Sequence, residues 1–89
     1  MNDAYRLEYG DKASEQLDHL DRKIARQIVR KLEWLTARVA EHQHETMTGN
    51  WSGFFRLRVS DYRVIYSLNH PTKTIEIEAV GHRSDVYRR

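Results

Sequence analysis

Alternation with a period of two dominates the second half of the chain. From Gly53 to Tyr66, Phe55, Leu57 and Val59 fall on one side of an extended backbone, and Phe54, Arg56 and Arg58 on the other. The pattern resumes after Ser60-Asp61, where Tyr62, Val64, Tyr66 and Leu68 share a face, so the stretch reads as a hairpin turning at those two residues. Asn69-His70-Pro71-Thr72 is a turn signal, because Pro71 stops the strand from continuing. Thr74 to Val80 then reads as a third strand, with Ile75, Ile77 and Ala79 on one face and Glu76, Glu78 and Val80 on the other, ended by Gly81.

The first half follows a helical period. A short alternating strand carries Tyr5, Leu7 and Tyr9 and stops at Gly10-Asp11, where Asp11 is placed to cap a helix. Leu17, Leu20, Ile24, Ile28, Leu32, Leu35 and Val39 then step by three or four into one apolar stripe. Arg22, Lys23, Arg26, Arg30 and Lys31 lie opposite it. The spacing predicts a short helix, a joint near Asp18 to Asp21, and a long helix to about Ala40. Glu41 to Ser52 is polar and reads as a loop, with Trp51 packing it onto the sheet edge. The predicted class is α+β: an N-terminal strand, a helical hairpin and a three-stranded antiparallel meander. The helices would pack on one face of a mainly antiparallel sheet.

At 89 residues the chain is expected to form one domain spanning residues 1–89. The absence of cysteine excludes disulfides and thiolate-bound zinc. His42 and His44 lack a convergent third ligand, so they read as part of a solvated loop, and neither a metal nor another cofactor is expected. No apolar run approaches the ~20 residues of a membrane span, and the N-terminus has no signal-peptide pattern. The expectation is a cytoplasmic protein with no membrane partner.

A net charge of +2 decides little alone, but the basic residues concentrate on the hairpin and at the C-terminus. Arg56, Arg58 and Arg63 put three guanidinium groups on one hairpin, and Gly81-His82-Arg83-Ser84-Asp85-Val86-Tyr87 adds an imidazole, a further arginine and a phenol. A core does not need that set, and a polyanion site does. With helices on one face only, the arginines would line an uncovered, solvent-facing sheet, with His82 beside the same face. The plainer account pairs Arg56 and Arg58 with Glu76 and Glu78 as exposed cross-strand ion pairs, worth ~0–1 kcal/mol each.

The ordered set Gly49, Trp51, Phe55-Arg56-Leu57-Arg58-Val59, Tyr62-Arg63-Val64-Ile65-Tyr66, Val80-Gly81-His82-Arg83 and Val86-Tyr87-Arg88 resembles the RelE family of the RelE/ParE toxin superfamily. The resemblance covers nearly the whole chain. It implies a type II toxin that cleaves mRNA in the ribosomal A site without a metal, and a cognate antitoxin that covers the active face. The family's ribosome-dependent members often carry lysine where this chain has Arg56 and Arg58, and have arginines matching Arg63 and Arg83 and often a tyrosine matching Tyr87.

In such cleavage the ribose 2′-hydroxyl attacks its own phosphodiester, which requires a proton acceptor, cationic donors and an acid for the leaving oxygen. Arg56 and Arg58 are the candidate phosphate grips, and Arg63 and Arg83 the transition-state donors. Arginine is a poor base at neutral pH, so His82 is the first candidate for proton transfer. Tyr87 is the second, either as a base activated by nearby cations or as a stacking platform. The alternatives within the same scaffold are a ParE-like inhibitor of DNA gyrase and a catalytically inactive antitoxin-binding module.

Overall fold

A computed structural model describes residues 4–88. In chain order the elements are β1 (Arg6–Tyr9), α1 (Asp11–Asp18), α2 (Arg22–Thr36), β2 (Glu45–Thr46), a 3-10 turn (Gly49–Trp51), β3 (Phe55–Val59), β4 (Tyr62–Asn69) and β5 (Thr74–His82). The strands form one sheet in the order β1-β5-β4-β3-β2, antiparallel except for the parallel pair β1–β5. The α+β class, the helical hairpin and the β3–β4–β5 meander are as predicted. Among the described residues, no helix is long and apolar enough to cross a membrane.

Local chemistry sets the helix limits. Gly10, not Asp11, holds the N-cap position of α1, and Asp11 is the first helical residue, where a carboxylate meets the positive end of the helix. His19 closes α1 by bonding the Glu15 carbonyl through its ring and its backbone. Asp21 caps α2 by accepting from the Lys23 N–H at 2.8 Å. The helix stops at Thr36, short of the predicted Ala40. The Thr36 carbonyl, which would have served Ala40, instead accepts from the Tyr5 N–H at 2.8 Å.

The apolar stripe packs as its spacing requires. Ile28, Leu32, Leu35 and Val39 are buried against Leu57, Val64, Tyr66, Ile75, Ile77 and Val80, with Leu17, Leu20 and Ile24 along the margin. In β5 the predicted alternation fails once. Tyr66 pairs with Ile77 while Ile65 pairs with Ala79, so Glu78 is an extra, bulged residue. Val80 therefore turns into the helix-side core and Ala79 to the opposite face, the reverse of the period-two reading. Beyond Ile77, β1 has ended, and Gln16 of α1 accepts from the Val80 N–H at 2.8 Å.

Two further expectations change. The segment Glu41 to Ser52 is not all loop, because β2 pairs with β3, setting Glu45 opposite Arg56 and Thr46 opposite Phe55. Nor is His44 solvated: its Nε2–H donates to the Val39 carbonyl, and its Nδ1 accepts from the hydroxyl of buried Tyr66. The second sheet face is also partly covered. Ile65 and Ala79 would expose apolar surface there, and Trp51 and Val86 bury it, flanked by Met47, Phe54 and Tyr87.

Candidate functional site

The second face is a small lattice of cross-strand neighbours. One row runs Glu45, Arg56, Ile65, Ala79, and the next runs Arg58, Arg63, Gly81. Strand β5 continues through Gly81 to His82 instead of ending before them. Gly81 faces Val86: a Cβ there would lie in van der Waals contact, 3.4 Å from the Cβ of Val86. The turn that follows, with Asp85 and Val86 N–H groups on the His82 carbonyl, folds the C-terminal residues back over this face. That return brings Tyr87 to the hairpin arginines.

Arg56 is the centre. Its Nη1 donates to the Tyr87 hydroxyl at 2.8 Å, its Nη2 pairs with Glu45 Oε2 at 2.9 Å, and its Cζ lies 5.4 Å from the Tyr87 ring centroid. Its Nε is buried and has no partner among the described residues. Arg58 grips the same carboxylate through Nε and Nη2, both at 3.0 Å. Held chiefly by the Arg58 hydrogen bonds and also by the Arg56 charge, the Glu45 carboxyl sits below the usual carboxylate range. The partner of the hairpin arginines is thus Glu45, not Glu76 or Glu78.

Sequence reasoning missed Glu45 because a two-residue strand shows no period. One sign was available. Across β4, Arg56 faces Ile65 and Arg58 faces Arg63, so any compensating acid had to come from the strand on the other side.

Arg63 is the least exposed of these cations, at 8%. Its Nη1 donates to the Ser60 and Tyr62 carbonyls at 2.9 and 2.8 Å, which fixes the guanidinium at the base of the hairpin turn. Nε and Nη2 have no partner among the described residues. Ser60 reaches this geometry with a left-handed backbone, φ 56°.

Arg83 stands at the same end. Its backbone N–H donates to the Asp61 carbonyl, and its Nε lies 4.0 Å from the Asp61 carboxylate, with most of the side chain exposed. His82 does not join the arginines on their face. It pairs in register with Tyr62 and lies edge-on to that ring at 5.4 Å between centroids, on the helix side of the sheet. Its Nδ1 is held by Ser84, 2.8 Å from the hydroxyl and 3.2 Å from the backbone N–H. Strand alternation is the reason: once Glu78 bulges and Gly81 faces Val86, His82 must face the other way.

Arg56, Arg58 and Tyr87 therefore form one connected cluster through Glu45, while Arg63 adjoins it across the strand pair. Arg83 and His82 sit at the sheet end beyond it. Among the described residues no group of three or more His, Cys, Asp or Glu is placed to hold a metal ion. The cluster can offer charged N–H donors to an anion and the Tyr87 hydroxyl to a departing oxygen.

Residues 7–87 match the family model described as the ParE toxin of the parDE type II toxin–antitoxin system. The chain belongs to the RelE/ParE superfamily of type II toxins. The fold agrees with solved relatives. The toxin–antitoxin complex RelBE2 from Mycobacterium tuberculosis contains a chain with TM-score 0.80 and 23% identity, covering 92% of this toxin and 94% of that chain. The archaeal RelE–RelB complex from Pyrococcus horikoshii OT3 gives 0.71 and 25%, over 92% and 98%. The chromosomal ParDE system of P. aeruginosa gives 0.72 and 15%, over 90% and 97%. No curated protein matches the toxin.

Proposed function

We propose that this toxin is a metal-independent endoribonuclease that cleaves mRNA on the ribosome and thereby stops translation. The observation that carries the reading is the guanidinium of Arg56: bonded to the Tyr87 hydroxyl, its Nε buried and without a partner among the described residues, in a face that also holds Arg58 and Arg63. Buried cationic donors of this kind suit a phosphate oxygen. Arg56 and Arg58 grip the RNA phosphate, and Arg63 and Arg83 stabilise charge on the phosphoryl oxygens as the 2′-hydroxyl attacks. Tyr87, bonded to Arg56, gives a proton to the departing 5′ oxygen, and the His82 imidazole at the sheet end accepts the 2′-hydroxyl proton through a bridging water. Glu45 occupies the grip in the absence of RNA, and the phosphate displaces it.

The partner is a cognate antitoxin. The similar chains come from toxin–antitoxin complexes, and an acidic antitoxin segment would complement the arginine face. A second reading, a non-nucleolytic gyrase inhibitor, is favoured by the ParE description of the matching family model. Purified toxin added to translating ribosomes and, separately, to a DNA supercoiling reaction distinguishes them. Cleaved mRNA with unimpaired supercoiling supports the first, and inhibited supercoiling with intact mRNA replaces it with the second. Arg63→Ala should slow cleavage by ~2–4 kcal/mol in activation free energy if Arg63 acts as an oxyanion donor.

A further inference from the structure

The sheet face that holds the arginines changes character at its other end. Ser67 follows Ile65 on the same face of β4 and pairs in register with Glu76 of β5, which pairs with Glu8 of β1. Glu8 and Glu76 are exposed, and among the described residues neither has an ion-pair partner. Ser67 Oγ donates to Glu76 Oε1 at 3.3 Å. Phe54 stands where the basic and acidic halves meet. It lies two residues before Arg56 and so on the same side, and the register that sets Phe55 opposite Tyr66 brings it level with Ser67. We propose that Phe54, Ser67 and Glu76 form a base-reading subsite. It stacks the base of a nucleotide adjoining the phosphate on Arg56, and it favours a base with an exocyclic amino group (adenine, cytosine or guanine) over uracil. The inference rests on the RNA-cleaving reading for its substrate.

The platform is braced from behind. Phe54 is half-buried, packed with Met47 against the Ile65 and Ala79 cluster, and Trp51 meets its ring edge-on at 5.5 Å between centroids. Trp51 is buried in turn and donates from Nε1 to the Tyr87 carbonyl at 3.3 Å. One scaffold thus holds both the ring and the phenol that grips Arg56. Two strand residues span about 7 Å, so the Phe54 ring and the Arg56 guanidinium lie within one nucleotide of each other. A flat ring beside a phosphate grip is how unpaired bases are held.

Charge decides which part of the nucleotide turns which way. Arg56 and Arg58 draw the phosphodiester to one end of the face, and Glu8 and Glu76 repel it from the other. What can approach Glu76 is the base. The carboxylate lies two strand spacings from Phe54, roughly 10 Å, which a base stacked on the ring and the glutamate side chain bridge between them. An ionised carboxylate only accepts hydrogen bonds, so it bonds an amino group and is repelled by the carbonyl oxygens of uracil. The Ser67 hydroxyl holds that carboxylate by one oxygen and so fixes its aim.

The test is cleavage, on translating ribosomes, of an mRNA pool randomised over one codon, with the cut ends sequenced. Wild type, Glu76→Gln, Phe54→Leu and Phe54→Tyr are compared, each shown to be folded by thermal melting. Wild type should cut about tenfold less often where uracil occupies one position adjoining the cut. Glu76→Gln should erase that bias, because an amide donates as well as accepts. Phe54→Leu should flatten the preference among all four bases, and Phe54→Tyr should keep it. A wild type with no bias at either flanking position, or a bias unchanged in Glu76→Gln, would overturn the proposal. So would slower cutting by Phe54→Leu with the bias intact, which would make the ring a cover for the core. If wild type cuts no mRNA, the nuclease reading falls, and fluorescence anisotropy decides this inference separately. The probes are 2′-O-methylated single strands differing at one base: discrimination against uracil that Glu76→Gln loses would uphold the subsite, and equal wild-type affinities would overturn it.

Discussion

Tyr66→Phe removes one hydroxyl from the centre of the sheet and tests the link between the core and the site. Tyr66 is fully buried, and its hydroxyl donates to His44 Nδ1, whose other ring nitrogen donates to the Val39 carbonyl. Those two bonds fix the residue that leads into β2 and so place Glu45 between Arg56 and Arg58. Losing the donor costs one neutral hydrogen bond, about 0.5–1.5 kcal/mol, plus part of the penalty for the abandoned imidazole nitrogen. Because His44 is only half-buried, water recovers some of that penalty, and about 1–1.5 kcal/mol is expected at pH 7.

The pH dependence gives this prediction its sharper form. Burial, with a smaller contribution from Glu45, raises the Tyr66 phenol above the ordinary value of 10.0. A raised folded pKa contributes stability that is complete below the unfolded value and is lost as pH rises above it, because only the unfolded chain ionises there. Wild type should therefore lose about 1.4 kcal/mol per pH unit above pH ~10 that Tyr66→Phe does not lose. The two stability curves should converge near pH ~11. Urea titrations followed by tryptophan fluorescence, from neutral pH upward, measure both effects. A difference under ~0.3 kcal/mol at pH 7, or a difference that stays constant into the alkaline range, would refute the reasoning.

Other outcomes follow from the site. Glu45→Gln should tighten binding of a non-cleavable RNA, since the carboxylate competes with phosphate for Arg56 and Arg58; lost cleavage with unchanged binding would make Glu45 a proton acceptor instead. Tyr87→Phe should lower cleavage by about 10²-fold or more if the hydroxyl moves a proton, and wild-type rates would leave only the ring with a role. Burial and the His44 and Lys31 charges hold His42 below its usual imidazole value. A lowered folded pKa contributes stability present above the unfolded value and lost as pH falls below it. His42→Gln should therefore flatten the acid side of the stability curve below the usual imidazole range, and an identical acid limb in the two proteins would exclude that contribution.

Where burial was periodic, the fold was legible. The α2 stripe, the hairpin turn at Ser60-Asp61 and the helix-side core positions of β3 and β4 follow from spacing alone, because residues at the period of each element face the same layer. The sequence was least informative where one residue breaks the count. Glu78 looks like an ordinary outward strand position, yet its bulge exchanges the faces of Ala79 and Val80 and carries His82 away from the arginines. β2 was invisible for a different reason: its place depends on contacts of His44 with Tyr66 and Val39, distant in sequence or formed after the helix ends. The cover over the second face was hidden likewise, since it arises from the return of the chain past Gly81.

The most direct measurement is induced expression of wild type and of the Arg63→Ala/His82→Ala variant, each shown to be folded by thermal melting, followed by mapping of mRNA 5′ ends. The account predicts new breaks in phase with the reading frame in wild type and none in the variant. Growth arrest with intact mRNA would contradict it and transfer the site to the gyrase-inhibiting reading.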